Sequence, residues 1–181
     1  MISPWEAGGV ARTITPLIKS PYGHLHRDPL KMTEWGSFLP KEVCERLQRM
    51  SDVPMALAMG MRTRSINEDG EVRVTMDAKD KLNAVGFAHG GAVFALADQA
   101  FGLASNLGKE PQVALCASIN YLKPGKGMLE AVAMKTFETR RTSLYEVRVY
   151  DEGELIAVFQ GTGYKLNGNG GRTGETSFEG K

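Results

Sequence analysis

The segment NAVGFAHGGAVFALAD, from Asn83 to Asp98, gathers an amide, an imidazole, a glycine pair and a carboxylate around the start of one apolar run. Gly90 and Gly91 open that run. Val93, Phe94, Leu96, Ala97, Ala100, Phe101, Leu103 and Ala104 continue it as a helix with no polar face. Backbone N–H groups at a helix start lack partners inside the helix and carry its positive dipole end. A carbonyl oxygen gaining negative charge is stabilised there, and one well-aimed donor is worth roughly 3 kcal/mol in a transition state. Tight packing of the helix start against a strand is the competing account of the same two glycines.

Asp98 is the residue that needs a reason. The pattern predicts a carboxylate inside a buried helix, where its charge is costly unless it is paired, hydrogen-bonded or wetted by a functional cavity. Ionised, it can attack an acyl carbon or take a proton from water; bonded to a neighbouring loop, it is structural. It follows Gly90 by eight residues, about 12 Å along a helix and too far for both to touch one reacting carbonyl. A site that uses both must take one of them from a second copy. Two such helices side by side across a two-fold axis give two equivalent composite sites, and full activity in a monomer would refute that arrangement. Asn83 can orient the water or the carboxylate, or cap a turn. His89 can serve as a general acid, a substrate contact or a hydrogen-bonding structural residue.

The elements that must place these groups follow from the rest of the chain. With 181 residues, 42% hydrophobic content and a formal net charge of +1, one domain with a proper core is predicted, and neither nucleic acid nor membrane is a natural partner. The apolar helix is short for a membrane span and carries Asp98 and Gln99, so it reads as a core helix. Cys44 and Cys116 do not make a disulfide framework, and the N-terminus lacks a signal-type segment, which points to a reducing cytoplasm. Residues 1–37, with Pro4, Pro16, Pro21 and Pro29, read as an extended arm or leader; residues 38–166 form the domain; residues 167–181 read as a flexible tail. His24 and His26 lack further ligands at metal spacing, so no metal site is assigned.

Pro40 opens a short helix through about Met50, with Val43, Leu47 and Met50 on one stripe and Cys44 packed beside it. From Ala56 the period becomes 2. MALAMGMRTRS and GEVRVTMD flank a turn at Asn67–Gly70 and read as a hairpin. After the long helix, QVALCASINYL reads as a strand, Lys123–Gly127 as a turn and MLEAVAMKTFET as its returning strand. SLYEVRVYD and LIAVFQGTGYKL complete a meander. One apolar helix among antiparallel strands predicts an α+β fold in which a sheet of five or six strands curls around that helix. Its edge strands then need cover, which oligomerisation supplies.

Asn83 to Asp98, as N-x-x-G-x-x-H-G-G followed by V-F-A-L-A-D, resembles the motif of the hotdog-fold acyl-CoA thioesterases of the phenylacetate-pathway type. The resemblance runs on through SINYLKPG and the turn Arg140–Arg141–Thr142–Ser143, covering roughly residues 55 to 165. It implies that Asp98 is nucleophile or general base, that the Gly90 backbone N–H polarises the thioester carbonyl and that Asn83 helps hold the water. It further implies that His89 and Gly91 line the substrate site. Lys123, Pro124, Arg140, Arg141 and Thr142 then fall where the phosphates and pantetheine of coenzyme A lie. Two departures stand out. Ala114 and Cys116 occupy the region where some relatives place a serine or threonine that assists the water, and Gln99 stands where others follow the aspartate with threonine.

The resulting expectation is a cytoplasmic thioester hydrolase that needs no cofactor beyond the coenzyme A of its substrate. Its minimal active unit is a homodimer, with a homotetramer as the expected assembly. The acyl pocket is apolar, drawn in part from Phe87, Phe94 and Phe101. The alternative is an acyl-CoA-binding sensor that keeps the pocket without turnover, and a hotdog dehydratase is disfavoured because its catalytic histidine belongs to a different motif.

Overall fold

The computed structural model describes residues 38–166 together with the backbone of two short strands, β1 (Ile18–Lys19) and β2 (Leu25–His26), which pair antiparallel. The remaining positions assigned to an arm and a tail lie outside the described residues. Helices α1 (Lys41–Ser51), α2 (Pro54–Ala58) and α3 (Gly90–Ser105) accompany strands β3 (Arg62–Ile66), β4 (Val72–Asp77), β5 (Gln112–Tyr121), β6 (Met128–Glu138), β7 (Thr142–Asp151) and β8 (Glu154–Lys165). Strands β3 to β8 form one six-stranded antiparallel sheet in the order β3-β4-β6-β7-β8-β5, curled around α3.

Alternation decides which face of the sheet meets the helix. Val72, Val74 and Met76 of β4 pair in register with Ala133, Ala131 and Leu129 of β6, and Tyr145, Val147 and Val149 of β7 continue that face. All nine are buried, as are Leu96, Ala97, Ala100, Phe101 and Leu103 of α3 opposite them. Burying an aliphatic side chain of this kind contributes about 1.5–3 kcal/mol, so this interface dominates the stability of the domain. Phe101 meets Tyr145 and Phe159 at ring-centroid distances of 5.6 and 5.8 Å. A Cβ on Gly161 would sit 2.9 Å from both phenylalanine rings, so glycine is what lets α3 press onto β8. At the far end of α3, the Arg46 guanidinium of α1 donates to the carbonyl of Asn106 at 2.8 Å, a cation at the negative end of the helix dipole.

Three expectations change. The stretch from Ala56 starts as helix rather than strand, because Pro54 occupies the first turn of α2 and Gly60, at φ 67°, ends it before β3 begins at Arg62. Strands β5 and β6 are not hairpin partners: β5 pairs with β8 at the sheet edge and β6 pairs with β4, so Lys123–Gly127 is a crossover. Asp98 is not buried. It lies exposed on a stripe with Gly91, exposed, and Ala95 and Gly102, half-buried, which the sheet does not reach. Glycine and alanine read as apolar in a pattern, yet on a helix surface they equally mark a face kept thin for close approach.

The β7–β8 connection carries the one non-glycine residue at positive φ among the described residues. Glu152 sits at φ 49° and Gly153 at φ 88°, with Asp151 and Glu154 paired across them. Two-residue hairpins of this hand favour Asn-Gly, because a glutamate has no local hydrogen bond to offset the left-handed conformation. Glu152→Asn is therefore expected to stabilise the fold by about 0.5–1 kcal/mol. Thermal unfolding should show a melting temperature higher by a few degrees; a lower one would place the glutamate in an interaction that outweighs the strain.

Candidate active site

The start of α3 is fixed by its own histidine. His89 is the N-cap, in extended backbone, and its Nδ1 accepts the Gly91 N–H at 3.0 Å. The His89 carbonyl accepts the N–H groups of Ala92 and Val93. One donor of the first turn is left over: among the described residues the Gly90 N–H has no acceptor. The glycine pair thus divides its roles. Gly91, expected to face the substrate, has its N–H engaged by the cap, and Gly90 keeps its own free beside a cavity.

That cavity has a volume of about 320 Å³ and is walled by Gly90, Asn83, Tyr121, Lys123, Pro124 and Ile156, with Phe87, Val93 and Leu122 giving it an apolar character. The preceding loop is tied by Asn83, whose Oδ1 accepts the N–H groups of Val85 and Phe87 at 3.0 and 3.2 Å. Both readings of this residue therefore meet in it: the amide oxygen organises the turn, and the residue still lines the cavity. Lys123 is ion-paired with Glu154 at the cavity rim, and the Lys126 ammonium lies 6.0 Å from the centroid of the Phe87 ring.

Tyr121 and Ile156 escaped the sequence reading. The Tyr121 hydroxyl donates to the Gly90 carbonyl at 2.9 Å, and its ring lies 3.3 Å from where a Cβ on Gly90 would stand. Partial burial raises its phenol pKa, so it remains a donor at neutral pH. The signal was present: Tyr121 continues the alternation of Ala117 and Ile119 and pairs with Ala157 on the helix-facing side of the sheet. Phe101, by contrast, is 2% exposed in the core and does not reach the cavity, while Phe94 is half-buried in an edge-to-face contact with Phe159, their ring centroids 5.3 Å apart. Of the three expected phenylalanines only Phe87 lines the cavity.

Asp98 does not wall the cavity of its own chain, as the spacing along α3 requires. The helix surface partly desolvates this exposed side chain, no hydrogen-bond donor meets it among the described residues, and its carboxyl pKa is pushed above the ordinary range. Arg140 and Arg141 are exposed at the turn before β7, where the Thr139 and Thr142 hydroxyls bond at 2.8 Å. That turn lies at the opposite end of β7 from Asp151 and the crossover, roughly 30 Å away at about 3.3 Å per strand residue. Within one chain Arg140, Arg141 and Thr142 therefore do not meet Lys123 and Pro124.

Among the described residues no group of three or more His, Cys, Asp or Glu is placed to hold a metal ion, and no helix is long and apolar enough to cross a membrane. Cys44 is buried on α1 and Cys116 exposed on β5, both as free thiols.

Residues 85–158 match the thioesterase superfamily. The chain is 29% identical over 116 residues to the acyl-coenzyme A thioesterase PaaI of Escherichia coli, an alignment spanning 62% of this chain and 83% of that protein. Among solved structures, a point variant of the phenylacetic acid degradation protein PaaI from Thermus thermophilus superposes with a TM-score of 0.59 at 40% identity, covering 62% of this chain and 99% of the other. The PaaI protein of the E. coli phenylacetic acid degradation operon gives a TM-score of 0.63 at 27% identity, covering 70% of this chain and 94% of that one.

Proposed function

This chain belongs to the thioesterase superfamily, with its hotdog architecture of a sheet around one helix, and we propose that the thioester it hydrolyses is an acyl-CoA, split to a free acid and coenzyme A. The observation that carries the mechanism is the Gly90 N–H, without an acceptor among the described residues, at the positive end of α3 in a residue that walls the cavity, with Asp98 uncovered on the same helix two turns further on. The Gly90 N–H holds the thioester carbonyl as it gains charge, and Asp98 of a second copy supplies the attack, either on the acyl carbon or through water positioned by Asn83. Attack breaks the carbonyl carbon–sulfur bond and releases CoA as its thiol, the thiolate taking up a proton; on the direct route water then cleaves the Asp98 acyl anhydride to the free acid and restores the carboxylate. The chain needs no cofactor for these steps, and its free cysteines suit a reducing cytoplasm.

Strand β5 supports the second copy. It is a sheet edge with no buried residue, and Leu115 and Tyr121 are 64% and 53% exposed. Pairing of β5 with its symmetry mate is antiparallel, so it joins the two sheets and lays the two α3 helices head to tail. The same operation sets the Gln112 end of one strand beside the Tyr121 end of the other. Because Gln112 pairs with Lys165, whose N–H bonds the Arg141 carbonyl at 2.9 Å, the Arg140–Thr142 turn of one copy approaches the Lys123–Pro124 rim of the other. Cations then gather where a nucleotide's phosphates would lie. The homodimer is the minimal active unit in this reading, and pairing of dimers gives a homotetramer.

A panel of aromatic, short, medium and long acyl-CoAs, followed by release of free thiol, tests the reaction. Turnover is expected for groups that fit about 320 Å³ of largely apolar space. Binding across the panel without thiol release would instead identify an acyl-CoA sensor.

A further inference from the structure

Asp151, at the end of β7, makes no contact with the cavity, yet its carboxylate holds the segment that does. Its Oδ2 accepts the backbone N–H groups of Lys126 and Gly127 at 2.9 and 3.3 Å. Its Oδ1 is buried and has no hydrogen-bond partner among the described residues, so a charge-bearing group has been kept where only half of it is satisfied. The crossover is shaped to this carboxylate. A Cβ on Gly127 would lie 2.7 Å from Oδ1, so that glycine is needed for the close approach; one on Gly125 would lie 2.8 Å from the Ile156 Cδ1 and 3.2 Å from Oδ2, a tight fit beside the same carboxylate.

The clamped segment is wired directly to the reacting end of the molecule. The Gly125 carbonyl accepts the Ala88 N–H at 2.6 Å, and the Gly127 carbonyl accepts the Ala78 N–H at 3.0 Å. Ala88 stands two residues before Gly90, and Ala88, Lys123, Pro124 and Gly125 all wall the cavity. The turn at Glu152 and Gly153, strained at φ 49° on the glutamate, is what ends β7 under the crossover.

We infer that Asp151 is a positioning residue for thioester binding: by clamping Lys126 and Gly127 it sets the crossover against Ala88 and thereby fixes the cavity wall opposite Gly90. This rests on the proposed acyl-CoA hydrolysis. It assigns no bond-making to Asp151, and its effect falls on KM. In Asp151→Ala the KM for a turned-over acyl-CoA should rise about tenfold while kcat changes less than threefold. Asp151→Asn, whose amide oxygen can still accept both N–H groups, should recover most of the affinity. Gly127→Ala leaves the carboxylate in place and displaces the crossover from it, so it should raise KM in the same way and serves where Asp151→Ala folds poorly. Amide exchange across residues 83–90 should quicken in both loosened variants, a readout that does not depend on turnover. A wild-type enzyme that hydrolyses acyl-CoA alongside variants of unchanged KM and unchanged exchange would overturn the inference alone; absence of hydrolysis in the wild type, with faster exchange in the variants, would remove the functional reading and leave the clamp.

Discussion

Asp98→Asn should lower kcat for acyl-CoA hydrolysis by about 10³-fold while a non-hydrolysable thioether analogue still binds with near wild-type affinity. The amide keeps the size of the side chain and loses the lone-pair basicity that either role demands, attack on carbon or proton abstraction from water. Steady-state thiol release and calorimetric titration of the analogue measure the two halves separately. A variant that retains more than about a tenth of wild-type kcat would take Asp98 out of the chemistry.

The pH dependence sharpens the same prediction. Partial desolvation by the helix surface raises the Asp98 pKa above the ordinary carboxylate range, and only the ionised form is useful, so kcat/KM of the wild type should fall as pH drops through that raised value. Stability runs the other way. A carboxyl whose pKa is higher in the folded than in the unfolded chain favours folding when protonated, an advantage fully present below the unfolded pKa and lost as pH rises through the folded one. At neutral pH the ionised Asp98 therefore costs stability, and Asp98→Asn should melt no lower than wild type. Inactivity accompanied by a lower melting temperature would point to a structural carboxylate.

How much of this was legible in the chain varies from element to element for physical reasons. Val72, Val74 and Met76 alternate with polar residues, and that periodicity is local, so a strand with one face on the core could be read directly. The pairing of β5 with β8 could not, because Lys123–Gly127 has the composition of a tight turn and becomes a crossover only through strand partners far away in sequence, β8 for β5 and β4 for β6. The spacing of Gly90 and Asp98 is a metrical fact of one helix, and α3 contains both residues. The exposure of Asp98 was misread because Gly91, Ala95 and Gly102 count as apolar although they leave their stripe open. The histidine that separates the duties of Gly90 and Gly91 needs the rotamer of its side chain, which no pattern contains.

The free N–H of Gly90 supplies the second large effect, through a substitution the helix start can accept. Gly90 is the first residue of α3, and His89 before it is extended at φ −62° and ψ 132°, the conformation a following proline requires. Gly90→Pro therefore deletes the proposed carbonyl donor without deleting a helix hydrogen bond. The added Cβ asks only that the exposed Tyr121 ring yield slightly from 3.3 Å. A loss of about 10²–10³-fold in kcat is expected, with the melting temperature close to wild type. Because the donor and the carboxylate of each site are assigned to different copies, two inactive proteins should rescue one another. In a co-refolded equimolar mixture of Gly90→Pro and Asp98→Asn, about half the dimers are hybrids, and each hybrid joins one intact Gly90 to one intact Asp98 at one of its two sites. About a quarter of wild-type turnover should return in thiol-release assays, in proportion to the hybrid fraction counted by native mass spectrometry. If hybrids form and the mixture stays inactive, the two groups do not act across a subunit boundary, and the composite site proposed here is wrong even though each residue is needed.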